Sequence, residues 1–122
     1  MPRAILDEAY IHPAIRDKLA SYKQAILQEV MAAVRDNDVL VVGMDLNPFP
    51  RKARAALDQA GIAYKYIGYG SYLSRWRDRS VLKLWTGWPT FPMVFVKGTL
   101  VGGFNDLQAL IDSGELKRAL AA

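Results

Sequence analysis

Between Pro13 and Asp36 the apolar residues Ile15, Leu19, Tyr22, Ile26, Val30 and Val34 recur at steps of four, three, four, four and four. That period lays one stripe along a helix and leaves Arg16, Lys18, Lys23, Gln24 and Glu29 off it. The pattern predicts one amphipathic helix over 13–36, opened by Pro13 and closed by the turn run Asp36-Asn37-Asp38. The periodicity then stops. Val39-Leu40-Val41-Val42 is wholly apolar and mostly β-branched, the signature of a strand covered on both faces. Asn47-Pro48-Phe49-Pro50 reads as a loop whose last proline a first helical turn tolerates. Ala53, Ala56, Leu57 and Ala60 mark the helix that follows, and Gly61 stops it. A second strand is expected over 62–67. A stretch rich in Ser, Tyr and Arg leads into a helix near 71–84, with Leu73, Trp76, Val81 and Leu84 expected to face inward.

Met93-Val94-Phe95-Val96 is a third strand. Lys97-Gly98 turns it into Leu100-Val101, so the two form a hairpin. Asn105 is expected to cap a helix through Leu107, Leu110 and Ile111. Ser113-Gly114 breaks that helix before a final turn or two over 115–120. The order helix, β, α, β, α, β, β, α gives an α/β fold, a four-stranded mixed sheet sandwiched by helices. The division expected is an N-terminal helical extension over 1–37 and one domain over 38–122.

Composition narrows the chemistry. With 122 residues, 52% apolar and 23% charged, the chain has the makeup of one globular domain and not of a disordered segment. A net charge of +4 is a mild excess and does not by itself argue for nucleic acid. There is no cysteine, so disulfides, thiolate nucleophiles and cysteine-held metal or iron–sulfur centres are excluded. His12 is the only histidine, and no metal site is expected around it. No run approaches the roughly 20 apolar residues that span a bilayer. The opening MPRAILDEAY lacks a signal-peptide core. No membrane association is expected, and the expected location is cytoplasmic.

Five blocks in order carry a resemblance. They are Phe49 with Arg51-Lys52; Arg79, Lys83 and Trp85 leading into Trp88-Pro89; Thr90-Phe91-Pro92; Val94 to Gly98 with Val101-Gly102-Gly103; and Ser113-Gly114-Glu115-Leu116. Over about residues 39 to 120 the chain resembles a glutaredoxin, most closely the monothiol branch. The resemblance implies a thioredoxin fold with an added N-terminal helix. It also implies a groove for glutathione or another extended peptide. Asn47-Pro48-Phe49-Pro50 stands where the family has Cys-Pro-Tyr-Cys or Cys-Gly-Phe-Ser, so Asn47 replaces the nucleophile. A carboxamide neither attacks a disulfide nor ligates a cluster as a thiolate.

The rest of the implied groove is half retained. Thr90-Phe91-Pro92 is similar to the family's Thr-Val-Pro, whose proline is cis and whose preceding backbone faces a peptide ligand. Gly102 and Gly103 allow close approach of backbone. Phe104 and Asn105 follow at a helix start suited to a carboxylate, although Phe104 is bulkier than the family residue and Asn105 lacks its charge. Arg79 matches an arginine near the ligand's other carboxylate. Met44 replaces a lysine that pairs with glutathione. The expected ligand site is therefore Asn47, Pro48, Phe49, Arg79, Thr90, Phe91, Pro92, Gly102, Gly103, Phe104 and Asn105.

Three functions follow. The first is a redox-inactive module that holds glutathione or a peptide weakly, without iron–sulfur cofactor. The second is an enzyme that borrows the thiol of bound glutathione, with Asn47 and helix amides polarising it. The third is a scaffold for a protein partner. Ser74-Arg75-Trp76-Arg77-Asp78-Arg79 interleaves bases with an aromatic, yet a solvated helix face with one buried Trp explains it better than nucleic acid. Tyr64, Tyr66, Tyr69 and Tyr72 are expected to serve packing.

Overall fold

A computed structural model describes residues 2–71 and 73–122. Tyr72 lies outside the described residues. The elements are α1 (Pro13–Ser21), α2 (Gln24–Asp36), β1 (Val39–Gly43), α3 (Pro48–Gln59), β2 (Lys65–Gly68) and α4 (Trp76–Thr86). There follow β3 (Met93–Val96), β4 (Thr99–Gly102), α5 (Phe104–Asp112) and α6 (Glu115–Ala121). A short 3-10 turn, Glu8–Tyr10, precedes α1. The strands order as β2-β1-β3-β4. β1 runs parallel to β2 and antiparallel to β3, and β3 pairs antiparallel with β4. This is the mixed sheet the pattern predicts.

Strand alternation explains why β1 is apolar throughout. Leu40 and Val42 face one core, where Val30 of α2 and Val81 and Leu82 of α4 meet Met93 and Phe95. Val39 and Val41 face the other, with Ala53 and Leu57 of α3, Leu107 of α5 and Leu116 of α6. Side chains on a strand point alternately to opposite faces, so a strand buried on both must be apolar at each position.

Four expectations are corrected. The helix over 13–36 is two helices. Lys23 adopts left-handed backbone, with φ of 51°, and separates α1 from α2. Only the second half of the stripe is covered: Val30 is buried, whereas Ile15, Leu19 and Tyr22 are exposed and α1 buries no residue. The second strand starts later, at Lys65, and the fourth helix starts at Trp76 instead of near 71. On α4, Val81 is buried as expected, but Leu73, Trp76 and Leu84 are 97%, 57% and 76% exposed. The buried face of α4 instead holds Asp78, Arg79, Val81 and Leu82, because Lys23 and Arg75 pair with the carboxylate there and the Tyr69 and Ser74 carbonyls accept from the guanidinium.

Candidate functional site

The loop after β1 sets the first wall of the site. Gly43 ends the strand because a Cβ there would fall 2.7 Å from Cβ of Pro50, so only glycine lets the first turn of α3 seat against the sheet. Asn47 then caps α3. Its Oδ1 accepts the N–H of Phe49 at 3.0 Å. Pro48 and Pro50 have no N–H at all. The N-terminal turn of α3 therefore offers no free amide among its first three residues. Those are the positions that would hold a thiolate or an oxyanion at a helix start.

The second wall is the loop before β3, where the Phe91–Pro92 peptide is cis, as the resemblance implies. Among the described residues, neither the N–H nor the C=O of Phe91 finds a backbone or side-chain partner. The third wall is the start of α5. The helix begins at Phe104 with Gly103 flanking it, so Asn105 lies inside the first turn and does not cap it. The Asp106 carboxylate accepts the N–H of Gly103 at 3.0 Å. The N–H groups of Phe104 and Asn105 have no acceptor among the described residues. Gly102 has φ of 119°, and a Cβ there would strike the Asp106 carboxylate. Its role is to admit that cap.

These walls enclose a cleft of about 230 Å³ lined by Phe49, Trp88, Thr90, Phe91, Pro92, Gly103, Phe104, Asn105 and Asp106. Phe49 and Phe104 face each other across it with ring centroids 6.4 Å apart. Lys52 stands 5.0 Å over the Phe49 ring and Lys83 5.8 Å over the Phe91 ring, which brings two cations to the margins. The indole Nε1–H of Trp88 is buried with no acceptor among the described residues. An orphaned buried donor is costly, so a ligand acceptor reaching it would gain more than a surface hydrogen bond.

Seven of the expected residues thus meet: Phe49, Thr90, Phe91, Pro92, Gly103, Phe104 and Asn105. Four do not line the cleft. Asn47 lines a separate small cavity with Met44, Arg51, Arg54 and Tyr66. Pro48 lines neither, and Gly102 lies beneath the α5 turn. Arg79 is only 7% exposed, and its Nη1 donates to the carbonyls of Tyr69, at 2.8 Å, and Ser74, at 2.6 Å. That arginine braces the loop before α4. Met44 is 6% exposed and packs in the core with Val42 and Tyr69, so no charge stands at that position. Trp88, Asp106 and the position of Lys83 were missed as site residues. The Trp88-Pro89 pair was the one signal in the sequence that could have pointed to the first.

A family model described as Glutaredoxin matches residues 47–101. The chain is 40% identical over 102 residues to the Glutaredoxin-like protein of Dictyostelium discoideum, a match covering 84% of this chain and 83% of that protein. It is 35% identical over 72 residues to Monothiol glutaredoxin-4 of Schizosaccharomyces pombe, covering 59% of this chain and 28% of that one. Among solved structures, oxidized glutaredoxin 2 from Chlamydomonas reinhardtii is similar with a TM-score of 0.70 at 28% identity. That likeness covers 81% of this chain and 94% of the other.

Proposed function

The chain belongs to the glutaredoxin family, and from that premise we propose that it is a redox-inactive binding module whose cleft holds glutathione or a similar extended, anionic peptide weakly. One observation carries the reading: the first three residues of α3 offer neither a thiol nor a free amide, while the cleft beside them keeps backbone groups with no partner among the described residues. The Phe91 backbone would pair with the middle of an extended ligand. The Phe104 and Asn105 amides would meet a carboxylate at the α5 end. Lys83 is better placed than Arg79 to meet the second carboxylate, because the Arg79 guanidinium already serves two carbonyls.

The enzyme reading asks helix amides to polarise the thiol of bound glutathione. Asn47 occupies the one amide that the two prolines leave. This counts against that reading and favours binding without turnover.

Affinity should be weak. The charge-assisted contact that a lysine at position 44 would supply is missing, and such contacts are worth about 1.5–3 kcal/mol, or roughly ten- to a hundredfold. Titration with glutathione followed by amide NMR shifts tests the proposal. Shifts should gather at Phe91, Gly103, Phe104 and Asn105 and saturate only at millimolar ligand. Gly103→Ala is the control. Its Cβ would sit 3.6 Å from the Pro92 carbonyl oxygen and 3.7 Å from the Trp88 ring, ordinary contacts that leave the fold intact but occupy the cleft. Binding should fall at least about tenfold. Equal binding by both proteins would move the ligand elsewhere, and no shifts at all would sink the small-ligand reading.

A further inference from the structure

The small cavity behind Asn47 shares no lining residue with the cleft. Its volume is about 70 Å³, a little over two water molecules at roughly 30 Å³ each. That is room for one small ion. Its walls carry Asp45, Asn47, Arg51, Arg54 and Tyr66. Arg51 and Arg54 are three residues apart on α3 and so share a face of the helix. The Arg54 guanidinium lies 4.1 Å over the Tyr66 ring. A guanidinium stacked on a ring has its plane fixed, and its N–H groups point outward in that plane, the edge that grips an oxyanion through two hydrogen bonds. The Nε–H of Arg54 is buried with no acceptor among the described residues. A buried donor left unpaired is costly, and an oxygen seated beside it removes that cost.

We propose that this cavity binds a phosphate-class oxyanion through the side chains of Arg51, Arg54 and Asn47, an inference independent of the cleft. Side chains carry it, because the first three residues of α3 have no free amide to give. Asn47 spends its Oδ1 on the Phe49 N–H, which leaves the Nδ2 group as its remaining donor.

Charge selects the ligand class. Two arginines line the cavity against the single acid Asp45, so its walls are net positive. Neither Asp45 nor Asp58, one turn further along α3, forms an ion pair with either arginine among the described residues. One guanidinium suffices for a carboxylate, whereas a tetrahedral phosphoryl group carries the charge and the acceptor oxygens for both arginines and the carboxamide. Burial holds the Tyr66 hydroxyl pKa above its ordinary value, so that wall stays uncharged and does not repel an anion. Asp45, Leu46 and Arg51 are exposed and form the mouth, where an ester substituent on the phosphoryl group would leave the cavity.

Titration of the intact chain with inorganic phosphate at constant ionic strength, followed by NMR, tests the proposal. The Arg54 Nε–H resonance and the amides of Asn47 and Arg51 should shift and saturate, and matched chloride should leave them unmoved. Arg51→Gln, at an exposed position, should weaken phosphate binding about tenfold, with an unchanged thermal melt as the check on folding. Arg54→Lys keeps the charge but loses the planar fork and should weaken binding by a similar factor. Asp45→Asn removes the repelling charge and should strengthen it. Phosphoserine separates the sources: binding equal to inorganic phosphate assigns the site to phosphomonoesters, and much weaker binding assigns it to the free ion. Shifts equal in phosphate and chloride overturn the proposal, as does phosphate binding indifferent to both Arg51→Gln and Arg54→Lys. Binding by the Asp45→Asn protein alone would make the Asp45 carboxylate the arginines' own partner and would equally overturn it. So would shifts gathered at Phe104 and Asn105, which would place the anion at the start of α5.

Discussion

Asn47 holds its carboxamide against the Phe49 amide, and that single hydrogen bond explains both what the site lacks and how it would respond to repair. Asn47→Cys removes the cap and releases the Phe49 N–H. A thiol placed there should have its pKa drawn below the ordinary value of about 8.5 by the helix dipole and the freed amide. The same change should cost about 0.5–2 kcal/mol of stability, the usual worth of an N-cap. Thiolate absorbance against pH reads the first effect, and urea unfolding the second. A thiol titrating at or above the free value would mean that α3 does not polarise its N-terminus. Arg79 makes the converse point. It resembles a ligand residue, yet its guanidinium is spent on the Tyr69 and Ser74 carbonyls. Arg79→Ala should therefore lower stability by about 1.5–3 kcal/mol, as expected for charge-assisted bonds. Any loss of glutathione affinity should be small beside it. Unfolding curves and the NMR titration together decide which effect dominates.

At the scale of elements, the junction of α1, α2 and α4 rests on Asp78. Its carboxylate meets Lys23 at 3.0 Å and Arg75 at 2.9 Å. Burial alone would push the carboxyl pKa up, but the hydrogen bonds and charges of Arg75 and Lys23 outweigh it and hold the group below the usual carboxylate range. A carboxyl depressed by folding adds stability that is fully present above its unfolded pKa, about 3.9, and is lost as pH falls through the lower folded value. Stability should therefore drop below about pH 4, and Asp78→Asn should flatten that part of the profile. The substitution itself should cost about 1–3 kcal/mol at neutral pH, between the values for exposed and buried pairs, because both cations remain partly exposed. Thermal melts across pH 3 to 7 for the two proteins check this; a slope unchanged by the substitution assigns the acid sensitivity to other carboxylates. A second bond, from the Tyr69 hydroxyl to Glu29 at 2.7 Å, ties the loop after β2 to α2.

At the scale of the whole molecule, the sheet is shared with glutaredoxins, while the cysteine that thiol chemistry needs is absent from this chain. The purified chain should neither reduce a glutathione mixed disulfide nor show an iron–sulfur chromophore, since both need a thiolate that no residue here supplies. A coupled reductase assay and a visible spectrum suffice. Turnover in the first would revive the reading in which bound glutathione provides the nucleophile.

The sequence by itself determined the order of elements along the chain, the mixed four-stranded sheet they form, and the absence of a thiol. An apolar run such as Val39–Val42 can only sit between two layers, and the absence of cysteine is a fact of composition. It also indicated the backbone walls of the cleft, because Thr90-Phe91-Pro92 and Gly103 act through local conformation. What tertiary structure decided was the direction of long side chains. Leu73, Trp76 and Leu84 share a helical spacing that suits burial, yet Asp78 and Arg79 take the inner face because Lys23, Tyr69 and Ser74 wait there as partners. Periodicity records where apolar residues lie on a helix, not which face finds a partner elsewhere in the chain. The same limit split the stripe from Ile15 to Val34. Its spacing is continuous, but the core reaches only as far as α2, and the turn at Lys23 releases the rest.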